Sequence, residues 1–417
     1  MTFTRRTAWL AAGAALLTLF APTMAGAALL VAILAAGIAD AWVVRSTPPI
    51  DREAPPLLSR GVPGVLTVTT LPGIRVRQSR LSPDLVVNPV EGIGSLAATV
   101  VATRRGAHGL GPVATLRVGP LGLGGWYHRN GDEHRITVYP DLPAAQRLAT
   151  EVRLGLFRED GRRARGPLGL GTELESVREY QPDDDIRQLN WPATVRTGRP
   201  MSNTYRIEQD RDVICLIDCG RLMASPISDE QGTKLTRLDA AVDAAAAVAA
   251  VADELGDRIG AIAFADSIIA AVAPRRDGGR IVVDAIHALE PKPVDSDYDL
   301  AVSAVGARKR SFILILTDLL DPVAAQPLSR ALPVLTRHHP VTVATVQDPA
   351  IRSALDTPAA DDNELARTVV AADVTLGRTA ANAELERAGV NVLDVSANSL
   401  SRRCVGAYLS AKRLARI

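Results

Sequence analysis

The sequence predicts a membrane-anchored, multidomain protein with an N-terminal transmembrane helical hairpin, a β-sandwich and a C-terminal α/β domain with a mainly parallel sheet. Three observations predict this fold class. Two apolar segments open the chain, short β-rich runs follow them, and the second half alternates apolar strands with amphipathic helices. A chain of 417 residues is long enough for two or three domains that each bury a core.

The charge balance limits the classes of partner. Lys and Arg total 47 and Asp and Glu total 46, which gives a net charge of +1. Nucleic-acid binding normally requires a strong basic excess, so no nucleic-acid partner is predicted. The three cysteines show neither metal-site spacing nor an even set for disulfides.

The N-terminus predicts a membrane anchor. Apart from Asp40, residues 8–44 carry no charge and form two apolar segments, 8–24 and 27–44. A bilayer core needs about 20 apolar residues per helix. Arginines flank the pair on both sides, and positive residues favour the cytoplasmic side. Residues 1–45 are therefore predicted to be two transmembrane helices of a multi-pass cell-membrane protein, with the soluble domains in the cytoplasm. The alternative is a cleaved signal peptide.

The middle of the chain divides by composition. Residues 46–63 are rich in proline and predict a stiff linker. Residues 64–140 contain six β-rich runs separated by turn residues and without helical period, which predicts the β-sandwich. Residues 141–210 are irregular and highly charged, and are interpreted as a connector.

The C-terminal part, 211–400, has an α/β pattern. The apolar strands 212–218 and 311–318 each end in an acid, as buried parallel strands do, and a helix with one apolar stripe spans 235–255. Repeated βα units predict an open parallel sheet with helices on both faces. Residues 401–417 predict a basic terminal helix.

The stretch "REYQPDDDIRQLNW" (178–191) places three consecutive carboxylates among arginines and aromatic residues. Adjacent side chains point in different directions in regular structure, so this run does not favour a catalytic carboxylate pair. We predict instead that Arg–carboxylate bonds, covered by the aromatic rings, order the connector or form a docking surface. The residues assigned to this motif are Arg178, Glu179, Tyr180, Asp184, Asp185, Arg187, Trp191 and Arg196. A hydrolase that uses the 183–185 run is a further alternative.

Three stretches carry a family resemblance. "VICLIDCGRLM" and "FILILTDLLD" resemble the first and fourth strands of a von Willebrand factor type A domain. "GTELESVREYQPDDDIRQLNWPATVRTGRPMSNTYRIEQD" resembles the signature of the bacterial domain-of-unknown-function family number 58. Asp183 stands where that family has Gly, and Pro192 stands where it usually has Lys or a small residue. The resemblance implies a membrane-anchored protein that works with a MoxR-type AAA ATPase.

The same resemblance implies a position for a metal ion. Type A domains hold a divalent cation with Asp-x-Ser-x-Ser after the first strand, a hydroxyl on a later loop and an Asp after the fourth strand. The corresponding residues here are Asp218, Gly220 and Leu222, with Ser296 and Asp318 as the remaining oxygens. Both hydroxyls of the first element are missing. We predict a degenerate site that binds at most Mg²⁺ weakly through Asp218, Ser296 and Asp318; a vestigial site without metal is the alternative.

These observations predict a non-enzymatic adapter. The sequence contains no Gly-x-Ser-x-Gly, His-Glu-x-x-His or Walker motif, so common hydrolase and nucleotide chemistries lack their parts. The predicted partners are the membrane and a MoxR-type AAA ATPase, with a client protein that the sequence does not specify. The alternative function is an extracellular, metal-dependent adhesion protein.

Overall fold

The computed structural model describes residues 1–17, 23–159, 162–163, 173–181, 184, 186–206, 210–228, 234–306, 308–319 and 322–413. The chain divides into two compact units, Met1–Val138 and Tyr139–Ile417.

The first unit joins two apolar helices to an antiparallel sheet. The helices α1 (Arg5–Leu17) and α2 (Thr23–Val43) pack on one another. The strands are β1 (Thr2–Phe3), β2 (Asp51–Glu53), β3 (Leu57–Ser59), β4 (Gly64–Thr69), β5 (Arg75–Arg80), β6 (Leu85–Asn88), β7 (Glu91–Ile93), β8 (Ser95–Ala102), β9 (Gly106–Val118), β10 (Gly124–Asn130) and β11 (His134–Tyr139). Their order is β1-β10-β9-β5-β7-β8-β4-β2, while β11 pairs with β3 and β9, and β6 pairs with β8.

Alternation along these strands builds the core of the first unit. In β4 and β8, every second residue is buried, and alternate apolar side chains such as Leu66, Val68, Leu96 and Val100 pack together. The proline-rich segment 46–63, interpreted as a linker, contributes β2 and β3 to this sheet. Ladder hydrogen bonds to β4 and β11 therefore hold part of it in place.

One helix of the described residues is long and apolar enough to cross a membrane. It comprises Met24–Val43 within α2 and has a mean hydropathy of 2.0. The described part of α1 has 13 residues. The structure thus provides one candidate membrane helix near the N-terminus, where the sequence predicts two.

The second unit has α/β architecture. Its helices are α3 (Leu142–Arg153), α4 (Trp191–Thr197), α5 (Arg237–Glu254), α6 (Gly279–Ile286), α7 (Tyr298–Val305), α8 (Pro322–Thr336), α9 (Pro349–Asp356), α10 (Asp362–Arg387) and α11 (Ala397–Arg413). Its strands are β12 (Arg158–Glu159), β13 (Arg162–Arg163), β14 (Glu173–Glu179), β15 (Met201–Arg206), β16 (Asp212–Asp218), β17 (Pro226–Ser228), β18 (Lys234–Thr236), β19 (Arg258–Phe264), β20 (Ile268–Arg275), β21 (Ser311–Leu316), β22 (Val341–Gln347) and β23 (Asn391–Ser396). Short 3₁₀ helices span Ile186–Gln188 and Arg221–Ala224.

The main sheet has the order β20-β19-β16-β21-β22-β23. All neighbouring strands in it are parallel except the edge pair β19–β20. Side chains of β16 alternate between two cores: Val213 and Cys215 face the cluster that includes α5 and α11, whereas Ile214 and Leu216 face the cluster that includes α7, α8 and α10. The sheet is therefore covered by helices on both faces, as the βα pattern predicts.

The helix α5 begins where its sequence requires. Thr236 accepts a hydrogen bond from the backbone N–H of Asp239, and the Asp239 carboxylate accepts one from the backbone N–H of Thr236. This capping box satisfies two amide groups that the helix cannot bond internally. Small alanine side chains then let the helix lie buried along nearly its whole length.

The helix α11 is an integral part of the second unit. It begins at Ala397, and Cys404, Val405 and Tyr408 lie in the core beside α5. Lys412 Nζ donates to a buried carboxylate oxygen of Asp257 at 2.5 Å, and Tyr408 Oη donates to the same oxygen. Burial lowers the pKa of Lys412 and raises the pKa of Tyr408 well above its usual value. Lys412, one of the basic residues of the terminal segment, thus forms a buried ion pair within the second unit.

Candidate functional site

The carboxyl ends of the parallel strands bring together the residues that the sequence singled out. Asp218 ends β16, Thr317 and Asp318 follow β21, and Asp394 lies in β23. Parallel strands end at the same edge of a sheet, and ligands of open α/β sheets bind beyond this edge. We call it the carboxyl edge.

Asp218 is buried and its carboxylate is fully hydrogen-bonded. Oδ1 accepts from the backbone N–H of Gly220 at 2.7 Å and from Ser296 Oγ. Oδ2 accepts from Thr317 Oγ1 at 2.6 Å and from Tyr298 Oη at 3.0 Å. Burial and the neighbouring Asp218 charge raise the pKa of Tyr298 well above its usual value, so this phenol remains a neutral donor. Four donors therefore occupy both carboxylate oxygens of Asp218.

Gly220, which the sequence resemblance compares with the first serine of the type A pattern, has no room for a side chain. A Cβ atom on Gly220 would overlap Ser296 Oγ and would approach Asp218 Oδ1 to 3.2 Å. The φ angle of Gly220 is −74°, so steric contact and not backbone conformation requires glycine. Glycine at position 220 thus leaves the space in which Ser296 Oγ bonds Asp218.

Asp318 lies in a separate ion cluster. It is 0% exposed, and one carboxylate oxygen accepts from Arg378 Nη1 of α10 at 2.8 Å. Arg237 Nη1 of α5 contacts the other oxygen. Arg378 Nη2 also donates to Asp394 Oδ1 at 2.9 Å. Two guanidinium groups and two carboxylates thus neutralise one another between α5, α10 and the sheet.

The pKa shifts in this cluster follow from its burial and pairing. Burial and the adjacent Arg378 charge lower the pKa of Arg237 to about 10, so it stays protonated at neutral pH. Burial raises the pKa of Asp394, but hydrogen bonds from Arg378 and Thr345 outweigh it and leave the pKa below its usual value. The charged forms of both groups are therefore the stable ones at neutral pH.

The structure brings two of the three predicted metal ligands together. Asp218 and Ser296 are hydrogen-bonded to each other, whereas the oxygens of Asp318 are held by Arg237 and Arg378. Across the described part of the chain, His, Cys, Asp and Glu form no group of three or more that could hold a metal. Weak binding of Mg²⁺ by Asp218, Ser296 and Asp318 stays a prediction.

An open cavity of about 360 Å³ lies beside Asp218. The exposed ion pair between Arg221 Nε and Asp295 Oδ1, 2.5 Å apart, is at its rim. Leu222 and Val323 add apolar surface to the lining. The carboxyl edge thus presents a mixed apolar and charged concave surface, while the carboxylates beneath are already bonded.

The sequence motif of residues 178–191 lies within a longer β-hairpin, formed by β14 and β15, that we call the signature hairpin. Its strands β14 and β15 pair antiparallel, and a 3₁₀ turn and α4 lie between them. Asn190 caps α4 by accepting from the N–H of Ala193, and Gly198 ends it in the left-handed region at φ 69°.

One ion pair orders the signature hairpin at the end where β14 leads into the turn. Arg178 Nη2 donates to Asp184 Oδ1 at 2.6 Å, and the backbone N–H of Gln181 donates to Asp184 Oδ2 at 2.8 Å. The Gln181 bond, followed by the Arg178 bond, lowers the pKa of Asp184. Tyr180 Oη donates to the Asp184 carbonyl at 3.2 Å. Arg178, Tyr180 and Asp184 are therefore hydrogen-bonded to one another, and their role in ordering the connector stays a prediction.

Other members of the motif have different positions. Glu179 pairs with Arg199 at 2.8 Å, a partner that the sequence did not identify, and Arg196 donates to the carbonyl of Pro192 at 3.4 Å. Asp183, Asp185 and the side chain of Arg187 lie outside the described residues.

Three large apolar residues of the signature hairpin face solvent. Trp191 is 66% exposed, Ile186 is 73% exposed and Val195 is 81% exposed. The prediction that Trp191 covers the ion pairs is therefore wrong, because its ring is open to water. Tyr180 is half-buried. Large apolar side chains that remain exposed are a feature of interaction surfaces.

The sequence missed several residues of the carboxyl edge. Tyr298, Thr317, Arg237, Arg378 and Asp394 complete the two buried clusters. Arg237, a charged residue at the apolar start of α5, was the sequence feature that could have indicated a buried carboxylate partner.

The open, mainly parallel sheet with helices on both faces defines the second unit as an α/β domain of the doubly wound type. Residues 176–369 match the family model "Protein of unknown function DUF58".

Part of the chain is similar to mycobacterial proteins. An uncharacterized protein of Mycobacterium bovis and one of Mycobacterium tuberculosis are each 28% identical over 190 residues, which is 43% of this chain and 56% of theirs. The match therefore spans little more than half the length of these relatives. A crystal structure described as an uncharacterized membrane spanning protein from Vibrio fischeri aligns with 49% of this chain and 98% of its own, at 16% identity and a TM-score of 0.19.

Proposed function

We propose that this protein is a non-enzymatic, membrane-anchored adapter that docks another protein through the signature hairpin and the carboxyl edge. The proposed architecture is a transmembrane helical hairpin with both ends in the cytoplasm, a β-sandwich and a degenerate von Willebrand factor type A-like domain. The strand order of the main sheet, with one antiparallel edge strand, supports the last of these.

The exposure of Trp191 carries the proposal. A tryptophan held in water at 66% exposure, with Ile186 and Val195 also exposed on the same hairpin, costs solvation free energy that burial under a partner would recover. Tryptophan is also enriched among residues that dominate binding energies. The Arg178–Asp184 pair and the cap of α4 order the backbone that presents it.

The chemistry of the carboxyl edge supports a docking role over catalysis. A general base or a metal ligand needs free lone pairs, yet Asp218 already accepts four hydrogen bonds and Asp318 is enclosed by two arginines. The concave surface beside Asp218 offers contact area for a partner. The carboxylates of Asp218 and Asp318 are already held by hydrogen bonds and ion pairs within the domain.

The family resemblance supplies the proposed partner, a MoxR-type AAA ATPase. On this proposal the partner hydrolyses ATP, and the adapter positions it at the membrane for assembly or activation of other protein complexes.

A binding measurement tests the proposal. The full chain in lipid nanodiscs is titrated with a purified MoxR-type ATPase from the same genome, without nucleotide, with ADP and with a non-hydrolysable ATP analogue. Trp191→Ala is expected to weaken binding by about thirtyfold, which corresponds to a hot spot of about 2 kcal/mol. Val334→Ala is the matched control, because Val334 is equally exposed but lies on α8. Lack of binding in every nucleotide state contradicts the partner, and an unchanged affinity of Trp191→Ala contradicts the surface.

The alternative, an extracellular metal-dependent adhesion protein, predicts the opposite topology. Protease added to intact cells would then cleave residues beyond 60, whereas the adapter proposal predicts cleavage only after the membrane is opened. Gly220 argues against this alternative, because a ligating serine does not fit beside Ser296.

A further inference from the structure

The turn between β9 and β10, together with the first residue of β10 (residues 119–124), is hydrogen-bonded to the end of α2. The buried carboxylate of Asp40 accepts hydrogen bonds from the backbone N–H groups of Leu121 at 2.9 Å, Leu123 at 2.8 Å and Gly124 at 3.0 Å. Three convergent amides stabilise a carboxylate charge without a basic side chain. The single charge of the apolar N-terminal segment thus fixes this turn.

The start of α1 bonds the same turn from its carbonyl side. Thr4 Oγ1 donates to the Gly122 carbonyl at 2.5 Å, and the Thr4 N–H donates to the Leu123 carbonyl at 2.9 Å. Thr7 Oγ1 donates to the Leu123 carbonyl as well. The turn is therefore held between the beginning of one apolar helix and the end of the other. We call residues 119–124 together with Thr4, Thr7 and Asp40 the clasp.

Glycines make this close approach possible. A Cβ atom on Gly119 would overlap the Asp40 carboxylate, and one on Gly124 would overlap the Gly37 carbonyl. The backbone of the turn therefore packs directly against α2, and glycine is required at both positions for this close contact.

The surface around the clasp combines positive charge with apolar side chains. Residues 1–50 and 113–130 contain five arginines and one acid, Asp40, whose charge is taken up by the turn. The guanidinium of Arg45 lies 3.9 Å from the ring centroid of Trp42, and Arg117 Nη1 donates to Ser46 Oγ at 3.0 Å. Leu121, at the tip of the turn, is 61% exposed.

We propose that the clasp and its surrounding arginines form a surface that binds the anionic headgroups of the membrane crossed by α2. This inference rests on the proposed membrane anchor. Because the clasp joins the turn to the end of α2, the turn lies at the level where that helix leaves the hydrocarbon. Leu121 enters the interfacial region there, and Arg6, Arg45 and Arg117 contact lipid phosphates.

The chemistry of the surface fits a phosphate-bearing lipid layer. Guanidinium groups bind phosphate oxygens through paired N–H donors, and an aromatic ring next to an arginine is typical of the membrane–water interface. The Gly122 backbone lies beside the Arg6 guanidinium, where a Cβ would be 3.0 Å from Nη1, so Arg6 borders the turn. The first unit is thus held against the bilayer surface by the clasp, in addition to the chain connection after residue 45.

A depth measurement tests the position of the turn. Leu121→Cys carries an environment-sensitive fluorophore in the full chain, reconstituted in vesicles with or without brominated lipids. The native cysteines are buried, and burial raises the pKa of Cys215 to about 12, so they react poorly. Quenching by bromines near the headgroups is expected at 121. Val65→Cys is the matched control, because Val65 is exposed on β4 near the opposite end of the sheet order, and it is expected to stay unquenched.

Asp40→Asn tests the clasp itself. An amide offers one acceptor oxygen where the carboxylate serves three N–H donors, so the fluorophore at 121 is expected to lose most of its quenching. The protein is expected to remain in the vesicle fraction on flotation, because the apolar length of α2 is unchanged. Undiminished quenching in Asp40→Asn would overturn the clasp as the holding element.

The arginines are tested with spin-labelled phosphatidylglycerol and phosphatidylcholine. The preference of the full chain for the anionic lipid is expected to fall by about fivefold for each arginine removed in Arg6→Gln/Arg45→Gln, and to weaken with salt. Arg80→Gln/Arg135→Gln removes the same charge at the other end of β9 and is expected to leave the preference unchanged. Equal preferences in the two double variants would overturn the proposal.

The outcomes separate this inference from the proposed function. Failure of the full chain to float with vesicles contradicts the membrane anchor and the inference together. Flotation without quenching at Leu121 contradicts the headgroup-binding surface alone.

Discussion

Replacing Arg378 with leucine should strongly destabilise the second unit. Arg378 bonds the buried carboxylate of Asp318 at 2.8 Å and that of Asp394 at 2.9 Å, and it also donates to the Val346 carbonyl at 3.2 Å. Removing one partner of a buried ion pair costs about 3–5 kcal/mol, because the remaining charge stays buried without compensation. Arg237 still contacts Asp318, so the expected loss is near the lower end, about 3 kcal/mol.

Thermal unfolding of the full chain in detergent, followed by circular dichroism, measures this effect. For a unit of this size about 3 kcal/mol corresponds to a fall in Tm of roughly 6–12 °C. Arg352→Leu is the control, since Arg352 is exposed on α9 and its loss should cost less than about 0.5 kcal/mol.

The pH dependence identifies the cause of the loss. The pKa of Asp394 is lowered in the folded protein, so its contribution to stability is present above the unfolded value of about 4 and is lost as pH falls through the folded pKa. The difference between wild type and Arg378→Leu should therefore shrink on acidification. A cost under about 1 kcal/mol at neutral pH, or one equal to that of Arg352→Leu, would refute the reasoning about buried charge.

Three further changes have defined outcomes. Tyr298→Phe removes one of four donors to Asp218 and should lower the free energy of unfolding by about 1–2 kcal/mol in urea titrations; a neutral result would contradict its role as a donor. His339 accepts the backbone N–H of Ser311 at 3.0 Å, and burial lowers its pKa, so stability should be full above about pH 6.5 and fall below it. That slope should be absent in His339→Gln when urea midpoints are compared across this range. Lys412→Met removes the ammonium partner of the buried Asp257 carboxylate, which keeps Tyr408 Oη and the backbone N–H of Arg211 as donors, and should cost about 3 kcal/mol or more in the same titration.

The main sheet was predictable from the sequence because its central strands are continuous apolar runs, which can be recognised locally. The run 212–218 is apolar until its final acid, and it forms β16 over the same residues, buried throughout. The helix stripe of 235–255 likewise corresponds to α5. Continuous burial demands apolar residues at every position, and this demand is visible without knowledge of the neighbours.

The ion clusters were not predictable in the same way. Asp318 is bonded by arginines that lie 81 residues before it and 60 residues after it, and each of these arginines occurs in a helix that otherwise follows ordinary patterns. A buried charge is tolerated because of its partner, and the partner is set by tertiary packing. The exposure of Trp191 escaped prediction for the converse reason, since an aromatic residue within a charged stretch is normally expected to be covered.

The clasp has a practical consequence for anyone who shortens this protein to obtain a soluble fragment. Deleting the first 45 residues would remove β1 as well as Asp40, so β10 would become a bare sheet edge and three amides of the adjoining turn would lose their acceptor. Exposed edges pair readily with those of other molecules. Dimers or larger particles formed by such a fragment would result from the sheet edge that the truncation exposes, and would not represent the native assembly.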